Sequence, residues 1–433
     1  MRITIHRGTH EIGGNCIEIQ SGSSRIILDV GMPLFDDNRQ QYDTSALRKK
    51  TSIELAEVGI LPQIPGVFVE GPQPNAVLLS HAHEDHTGLI RHLQSGIPIY
   101  AGKGTSKMMN AGSFFANQPN LPRKRPEELK PLVPTTIGEF QVTPFNVDHS
   151  IYGAMAFLIE AGGKTVLYSG DLRLHGRKPG MTKTLLESLR GRTIDVLLME
   201  GTHINQAHQR GPTEYELEEE IVKHVKNAPS LVLALFSPQH VDRLVTFIRT
   251  AKRTGRIFAV DGYTAYVLYL VSPDINVPRP GEDNGIRVFF PSYQHRQRER
   301  LDKKVFSVIA KNPLKLDEIR ANPSKYLMVF RPSMLVSDFG SELPSQSLCL
   351  HSRWCGYLDR EDWQPVKQSL DRAGGSLVDA HTSGHIFAQD IVTLVNEIAP
   401  KLIVPIHTFE PQNFQNHFSN VRKLNDGESF DVE

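Results

Sequence analysis

The sequence contains few cysteines, and this scarcity limits the kinds of site that it can build. Its 433 residues include three cysteines, Cys16, Cys349 and Cys355, and no Cys-x-x-Cys pair. An odd number without that spacing argues against a disulfide framework and against a thiolate zinc site. We interpret all three thiols as buried structural groups, because free cysteine behaves as a small apolar residue.

The chain also lacks an excess of charge and long apolar runs. Lysine plus arginine and aspartate plus glutamate both number 48, so the formal net charge is zero. This balance excludes a uniformly basic nucleic-acid-binding surface, although a local basic groove stays open. No apolar run approaches the roughly 20 residues that cross a bilayer, and residues 1–5 resemble a strand and not a signal peptide. We therefore expect a cytoplasmic protein with no membrane partner.

Two patterns of secondary structure divide the chain. Short β-branched segments with glycine or proline at their ends dominate the part before Glu200 and predict many strands. After Glu200, Thr213 and Glu216 form a capping box that predicts a helix start. The helix that it opens is followed by apolar strands alternating with amphipathic helices, and this alternation predicts a parallel α/β domain.

The densest cluster of metal-binding side chains follows an apolar run at 76–79, which predicts a buried strand. Three histidines and an aspartate occupy six positions soon afterwards, as His81, His83, Asp85 and His86. Imidazole and carboxylate groups hold borderline divalent metals such as zinc. Gly88 predicts the start of a helix, so these ligands would lie on a strand-to-helix turn where several side chains can converge.

Further histidines and an aspartate each follow a predicted strand: His149, Asp171, His381 and His407. A single histidine at a strand end is more often structural than functional. Side chains at the ends of adjacent strands, however, converge at one edge of a sheet, so a fold can assemble a site from residues far apart in sequence. The whole set together favours a metal site.

The series His81-x-His83-x-Asp85-His86, then His149, then Asp171, resembles the motif series of the metallo-β-lactamase superfamily. That resemblance implies an α/β fold, the αββα sandwich, with a metal pair at one edge of two packed sheets. The implied ligands of one zinc are His81, His83 and His149. Those of the other are Asp85, His86 and His407, and Asp171 is implied to bridge the two ions.

The α/β segment after Glu200 resembles the domain inserted in one branch of that superfamily, the β-CASP nucleases, and in particular ribonuclease J. Glu200 matches the first extra motif of the branch, the His-Thr-Ser-Gly-His segment at 381–385 resembles the second, and His407 matches the third. Within the branch, histidine in the third motif is typical of RNA enzymes and valine of the DNA-repair group. Ribonuclease J carries a further C-terminal domain, whereas this chain ends soon after His407.

The resemblance implies a domain order along the chain. Residues 1–205 would form the first part of the metallo-β-lactamase domain, residues 206–375 the inserted β-CASP domain, and residues 376–433 the part that completes the first domain. Single-stranded RNA would bind in the cleft between the two domains, and DNA stays open as a second ligand. A homo-oligomer is compatible with the sequence but is not indicated by it.

The activity that the resemblance implies is that of a dinuclear-zinc ribonuclease, which cleaves RNA as an endonuclease, a 5′→3′ exonuclease or both. Two cations about 3.5–4 Å apart would share a hydroxide, bring its pKa towards neutrality and offset the charge that builds on the phosphodiester. Mn2+ or Mg2+ could replace Zn2+. The implied catalytic residues are Asp85, His385 and Glu200. The implied contacts to RNA phosphate are His381, Ser383, Gly384 and Ser237.

Other functions stay open at this point. The same chemistry could act on DNA, or the chain could be a nucleic-acid-binding or regulatory subunit with little activity alone. A small-molecule hydrolase could also use this metal scaffold. His407 favours RNA over DNA, the complete ligand set argues against a regulatory subunit, and the inserted domain argues against a small-molecule substrate.

Overall fold

The computed structural model describes residues 1–121, 126–205, 210–282, 285–311 and 313–433. The described strands, in chain order, are β1 (Arg2–Arg7), β2 (Cys16–Ser21), β3 (Ser24–Leu28), β4 (Ala76–Leu79), β5 (Ile99–Gly102), β6 (Glu127–Leu129), β7 (Thr135–Ile137), β8 (Phe140–Asn146), β9 (Met155–Ala161), β10 (Lys164–Tyr168), β11 (Val196–Glu200), β12 (Val232–Leu235), β13 (Ile257–Asp261), β14 (Ile286–Phe289), β15 (Tyr326–Val329), β16 (Leu348–His351), β17 (Ser376–Asp379), β18 (Leu402–Ile406) and β19 (Ser429–Asp431).

The described α-helices are α1 (Thr44–Leu47), α2 (Ser52–Glu57), α3 (Glu84–Thr87), α4 (Lys103–Ala116), α5 (Pro179–Leu189), α6 (Glu214–Asn227), α7 (Val241–Thr254), α8 (Gly262–Val271), α9 (His295–Arg300), α10 (Lys303–Ile309), α11 (Leu316–Ala321), α12 (Pro332–Ser337), α13 (Gln364–Arg372) and α14 (Ala388–Ile398). No described helix combines the length and the apolar character that a bilayer span requires.

The chain divides into two compact units. The first unit comprises Met1–Arg210 and Gly384–Glu433, and the second comprises Gly211–Ser383. Residues 206–209, at the expected start of the inserted domain, lie outside the described residues. The chain returns to the first unit after residue 383 and not after 375, because β17 pairs in parallel with β16 as part of the sheet of the second unit.

The first unit contains two mixed sheets. Their strand orders are β19-β1-β2-β3-β4-β5-β6 and β18-β11-β10-β9-β8-β7. Strands β3 to β6 are parallel neighbours, as are β10, β11 and β18, and the other neighbours are antiparallel. Strands β18 and β19, which follow the second unit in the chain, occupy one edge of each sheet. The returning segment therefore completes both sheets.

Apolar side chains from the two sheets pack against each other inside the first unit. Ile5 and Leu78 of the seven-stranded sheet share one core with Phe157 of the six-stranded sheet. A second core joins the six-stranded sheet to α5 and α14, with Leu185 and Leu394 among its members. Helix α4 contacts β5 of the seven-stranded sheet. Each sheet thus packs on the other and carries helices of its own, which confirms the predicted α/β fold.

The second unit is built around one parallel sheet, as the alternation of strands and helices predicts. Its strand order is β14-β13-β15-β12-β16-β17, and every neighbouring pair is parallel. The predicted capping box opens α6: Glu216 N–H donates to Thr213 Oγ1 over 3.2 Å, and Thr213 N–H donates to Glu216 Oε2 over 2.8 Å.

The prediction that all three thiols are buried is wrong for one of them. Cys16 and Cys349 lie within strands β2 and β16 and are buried, and burial raises the pKa of each thiol. Cys355 is exposed, because it lies in a surface turn that follows β16.

Candidate metal centre

Strand β4 brings the first candidate ligands to one end of the seven-stranded sheet. All four of its residues are buried, and the chain then turns into α3, which carries Asp85 and His86. The α-helix begins earlier than predicted from Gly88, because α3 spans Glu84–Thr87, and a short 3-10 helix follows Gly88 at Ile90–His92. Acidic side chains favour the positive end of a helix, and Glu84 and Asp85 occupy the first turn of α3.

The segment after β3 holds α3 in place. Val30 N–H donates to the carbonyl of His86 over 2.9 Å, and Met32 N–H donates to that of Glu84 over 3.0 Å. Gly31 lies between these two donors and directly against α3, where an added Cβ would overlap the carbonyl oxygen of Asp85. Glycine is therefore required for this close approach, which positions both Asp85 and His86.

Three histidines form a first group of possible metal donors. His81 Nε2 and His149 Nε2 each lie 3.1 Å from His83 Nδ1. The three donor atoms lie within 4.8 Å of one another. Since three ring nitrogens face one another here, these residues could hold one metal ion.

A second group contains Asp85, His86, Asp171 and His407, again with donor atoms within 4.8 Å of one another. His407 Nε2 lies 3.3 Å from Asp85 Oδ2, and His86 Nε2 lies 3.2 Å from Asp171 Oδ2. His407 reaches this place from the end of β18 with a positive φ of 52°, and its N–H donates to the carbonyl of Gly8 over 2.7 Å.

Asp171 connects the two groups. Its Oδ2 lies 3.8 Å from His81 Nε2, 3.7 Å from His149 Nε2 and 3.6 Å from His407 Nε2. Its Oδ1 is buried and has no hydrogen-bond partner among the residues that the structure describes, which is costly for a carboxylate oxygen unless a cation or a donor compensates it. The donor set and this oxygen therefore fit a divalent metal, and one carboxylate could serve two ions.

Burial leaves most of these donors in the protonation states that bind metal. It lowers the pKa of His81 and His149 well below the ordinary value and that of His83 to about 4. Burial raises the pKa of Asp85, but His86 and His407 outweigh it and bring that pKa down to about 2. Neutral imidazole and ionised carboxylate are the forms that coordinate metals.

His86 behaves differently from the other rings. Burial lowers its pKa, but the carboxylates of Asp171 and Asp29 outweigh burial and raise that pKa well above the ordinary value. Metal binding at His86 would therefore release a proton.

Asp29 is a functional residue that the sequence reasoning missed. It is fully buried with a positive φ of 57°. Its Oδ2 accepts hydrogen bonds from His86 Nδ1 over 2.8 Å, from Ser80 Oγ over 2.6 Å and from Tyr168 OH over 2.6 Å. A carboxylate on the outer nitrogen of a ligand histidine fixes the tautomer and the ring orientation. The sequence does contain a signal for Asp29, because this residue directly follows an apolar strand. Asp171 likewise lies shortly after one.

Glu200 and His385 lie beside the second donor group. His385 Nδ1 is 3.1 Å from Glu200 Oε2, and the other oxygen of Glu200 accepts from the N–H of Leu172, next to Asp171. Burial lowers the pKa of His385, but the charges of Glu200 and Asp171 outweigh it and raise that pKa to about 9. Thr202, which the sequence reasoning also missed, places its hydroxyl 3.2 Å from His385 Nδ1 and 2.9 Å from His407 Nδ1.

Gly384 contacts the first donor group through its carbonyl oxygen. His149 Nδ1 donates to this oxygen over 2.6 Å, which fixes the nitrogen of His149 that faces His83. A Cβ at Gly384 would overlap the Ser150 hydroxyl. Gly384 therefore positions His149. The contact of Gly384 with RNA phosphate stays a prediction.

The remaining predicted phosphate contacts belong to the second unit. His381 and Ser383 follow β17, and Ser237 follows β12. Burial and the charge of Arg243 lower the pKa of His381 well below the ordinary value, and its Nδ1 is buried without a hydrogen-bond partner. Ser237 accepts the N–H of His240 at its carbonyl over 3.0 Å.

The chain is similar to a known protein family and to several curated proteins. Residues 60–236 match the family model of the beta-lactamase superfamily domain. Ribonuclease J of Mycolicibacterium smegmatis is 22% identical over 431 residues, covering 94% of this chain and 68% of its own length. An RNase J-like protein of Methanocaldococcus jannaschii is 26% identical over 278 residues, covering 60% of this chain and 58% of its own length.

A solved structure has the same fold. The crystal structure of a protein of unknown function from Enterococcus faecalis V583 matches with a TM-score of 0.78 and 22% identity, and the match covers 99% of each chain. The family match spans β4, α3, His149 and Asp171, which carry most of the donor atoms. Residues 60–236 are therefore similar to the beta-lactamase superfamily domain, and 94% of the chain is similar to ribonuclease J.

Proposed function

We propose that this protein is a metal-dependent ribonuclease that hydrolyses phosphodiester bonds of single-stranded RNA with two zinc ions. The observation that carries the proposal is the position of Asp171, whose Oδ2 lies within 3.8 Å of donor nitrogens from both groups. A shared carboxylate between two donor sets is suited to a metal pair. The names of the relatives support RNA as the substrate.

The proposed ligands divide as the two donor groups do. One ion would be held by His81, His83 and His149, the other by Asp85, His86 and His407, and Asp171 would contact both. Metal ions in such a site supply positive charge that stabilises the phosphodiester in the transition state and promote ionisation of water at neutral pH.

His385 is the proposed proton donor to the leaving oxygen. Its Nδ1 lies 3.1 Å from Glu200 Oε2, so proton exchange with the substrate would take place at Nε2. Because Glu200 and Asp171 raise the pKa of His385 to about 9, this imidazole carries a proton at neutral pH and can donate it to the leaving oxygen. Glu200 acts through His385 and through the N–H of Leu172, and we therefore assign it a positioning role.

The proposed phosphate contacts are the predicted ones. Gly384 and Ser383 would offer N–H and hydroxyl groups to RNA phosphate, as glycine turns do for anions. His381 and Ser237 would bind phosphate from the ends of β17 and β12.

The test uses purified protein with end-labelled single-stranded RNA and a matched DNA oligomer, beside the double variant Asp85→Ala/His86→Ala. We expect cleavage of RNA by the parent, none by the variant and slower cleavage of DNA. Equal cleavage by parent and variant would trace the activity to a contaminant. Bound metal near two equivalents with no turnover of either nucleic acid would instead favour a regulatory subunit.

Gel electrophoresis of the end-labelled RNA products also distinguishes the modes of cleavage. RNA carrying a 5′ triphosphate, monophosphate or hydroxyl separates a 5′-end-dependent exonuclease, which favours one end group, from an endonuclease, which cuts all three alike. Elemental analysis of the parent identifies the metal, and re-addition of Zn2+, Mn2+ or Mg2+ after chelation shows which ion restores turnover.

A further inference from the structure

The strand order of the second unit predicts a crevice between the ends of two neighbouring strands, β12 and β16. From β12 the chain crosses to β13, towards the β14 edge of the sheet, whereas from β16 it continues to β17, at the opposite edge. Open α/β sheets bind ligands beyond the carboxyl ends of strands whose connections diverge in this way. The segments that follow β12 and β16 flank this crevice, and Ser237 lies in the first of them.

The segment after β16 presents aromatic surface there. Trp354 is 45% exposed, although it is one of two tryptophans in the chain and the other, Trp363, is 2% exposed. The indole meets the Tyr357 ring edge-on, with ring centroids 5.6 Å apart. It also packs on Gly356, where an added Cβ would overlap the ring. The turn therefore holds a large aromatic side chain at the surface in a defined position.

Two guanidinium groups contact the tyrosine of this aromatic pair. Arg353 and Arg360 lie 4.4 and 4.3 Å from the centroid of the Tyr357 ring. Burial lowers the pKa of Arg353, and the nearby charges of Arg331 and Arg360 lower it further. Among the described residues, Arg353 has no carboxylate within ion-pair distance. A buried guanidinium whose charge no nearby carboxylate balances, as at Arg353, attracts an anion.

A second pair of diverging connections leaves β13 and β15, and the two crevices differ. In the second, Arg331 follows β15 and pairs with Asp261 at the end of β13 over 3.5 Å. Arg331 also donates to the carbonyl of Phe236. In that crevice the charge of Arg331 is balanced by Asp261. The crevice beside Trp354 instead combines exposed aromatic surface with Arg353, which has no carboxylate partner among the described residues.

We propose that Arg353, Trp354, Tyr357 and Arg360, together the Trp354 platform, bind one base of single-stranded RNA and the phosphate next to it. This inference rests on the proposed ribonuclease function, which supplies RNA as the ligand. An exposed indole stacks on any base, and guanidinium groups beside it bind the backbone, so the platform would hold RNA without sequence preference.

The first experiment observes stacking directly. In a Trp363→Phe background Trp354 is the single tryptophan, and the further change Asp85→Ala/His86→Ala prevents cleavage during the titration. We expect oligouridylate to quench the fluorescence and an abasic ribose–phosphate oligomer of the same length to leave it unchanged. Fluorescence that stays constant while the RNA binds would overturn the proposal.

The second experiment measures affinity for the same RNA. Base–aromatic stacking corresponds to about tenfold in affinity when the aromatic ring is truncated, so Trp354→Ala should bind about tenfold more weakly and Trp354→Phe nearly as well as the parent. Tyr215→Ala, which removes another exposed aromatic ring of this unit (51% exposed), should have no effect. Equal affinity of Trp354→Ala and the parent would overturn the proposal.

Cys355 gives an independent readout without any substitution. It is the exposed thiol next to Trp354, whereas Cys16 and Cys349 are buried. Bound RNA should therefore slow alkylation of Cys355, and alkylation at an unchanged rate with RNA bound would contradict the platform.

Turnover of bis(p-nitrophenyl) phosphate separates failure of the platform from failure of the proposed function. This small diester reports the metal centre, and Trp354→Ala should turn it over like the parent. A parent that binds RNA with quenching but hydrolyses neither substrate would overturn the proposed function and keep the platform. If Trp354→Ala cleaved and bound RNA like the parent, the platform would be overturned and the proposed function would be kept.

Discussion

The two units each bury a cluster of charged side chains, and the clusters differ in how their charges are balanced. In the second unit Arg243 and Glu214 are both fully buried. Arg243 donates to the Glu214 carboxylate through Nη2 over 3.0 Å and through Nε over 3.3 Å, and further to the carbonyl of Ser352 over 3.2 Å. In this cluster the guanidinium donors bind protein acceptors, and the positive charge of Arg243 is balanced by the Glu214 carboxylate.

The cluster of the first unit is arranged in the opposite way. Ring nitrogens of His81 and His149 point at a nitrogen of His83, and Asp171 Oδ1 has no hydrogen-bond partner in the described part of the chain. Most of these side chains are as deeply buried as Arg243, and His83 is partly buried, so burial alone does not distinguish the two clusters. The difference lies in complementarity: the cluster around Arg243 satisfies its buried charges with protein groups, whereas the cluster of the first unit offers lone pairs that a cation would satisfy.

Replacing the shared carboxylate should have the largest effect. Asp171→Asn removes the charge next to both donor groups, and we expect RNA cleavage to fall by about 10,000-fold or more, since a metal pair contributes several kcal/mol to transition-state stabilisation. Initial rates with labelled RNA and the metal content of the purified variant measure this.

The control for Asp171→Asn is Asp195→Asn in the same unit. Asp195 pairs with Lys401 over 2.7 Å and lies outside both donor groups. Activity and metal content should therefore stay near those of the parent. If Asp171→Asn kept both bound metals and full activity, the shared-carboxylate assignment would be wrong.

Breaking the balanced cluster should affect stability and not metal content. Arg243→Met leaves Glu214 buried without its main cation, which costs about 3–5 kcal/mol of unfolding free energy. Because Trp354 and Trp363 both lie in the second unit, tryptophan fluorescence during urea unfolding reports that unit alone. The double variant Arg243→Met/Glu214→Leu should recover much of the loss, since apolar residues often replace a buried ion pair without cost.

Arg253→Met is the matched control on the same helix. Arg253 pairs with Glu219 at the surface, and such exposed pairs contribute little to stability because solvent screens them. If Arg243→Met unfolded at the same urea concentration as Arg253→Met, the buried pair would not stabilise the second unit.

The sequence predicted the donor groups better than it predicted what holds them. Proposed ligands such as His81 and Asp171 are recognisable because their chemical type and their places after apolar strands are local properties. Asp29 escaped notice because a lone carboxylate after a strand has no distinctive spacing, and its importance comes from contacts with His86, Ser80 and Tyr168 that only the folded chain creates.

The fold shows the same division between local and non-local information. The capping box at Thr213 and the alternation of strands and helices are local patterns, and both predictions were confirmed. The return of the chain to the first unit was predicted at residue 376. It occurs at residue 384, because the partner of the strand Ser376–Asp379 is β16. Strand pairing depends on tertiary neighbours that a pattern along the chain does not contain.

A moderate effect is expected from the support of the metal centre. Asp29→Asn weakens the hydrogen bond that orients His86, and loss of such support reduces metal affinity by about 10- to 100-fold. Competition with a chromophoric chelator measures this, and Tyr168→Phe, which removes one donor to Asp29, should have a smaller effect. Metal affinity within about twofold of the parent for Asp29→Asn would show that Asp29 serves the fold and not the centre.

The smallest effect concerns a histidine of the first unit outside the donor groups. Burial and the charge of Arg91 lower the pKa of His92 to about 4, and Arg91 Nε donates to His92 Nε2 over 2.9 Å. The pKa of His92 in the folded state lies below its unfolded value of about 6.5. The contribution of neutral His92 to the unfolding free energy is therefore fully present above pH 6.5 and is lost as the pH falls towards 4. Solvent screening at this half-buried ring limits the loss to about 1 kcal/mol.

His92→Gln should therefore reduce the difference in unfolding free energy between pH 7 and pH 4 by about 1 kcal/mol. Urea unfolding followed by circular dichroism at the two pH values measures this. A proton resonance that is absent in the variant identifies His92 in the parent, and titration of that resonance above pH 6 would contradict the prediction. His83 has a similarly lowered pKa, but zinc should change the titration of His83 and leave that of His92 unchanged, because only His83 belongs to a donor group.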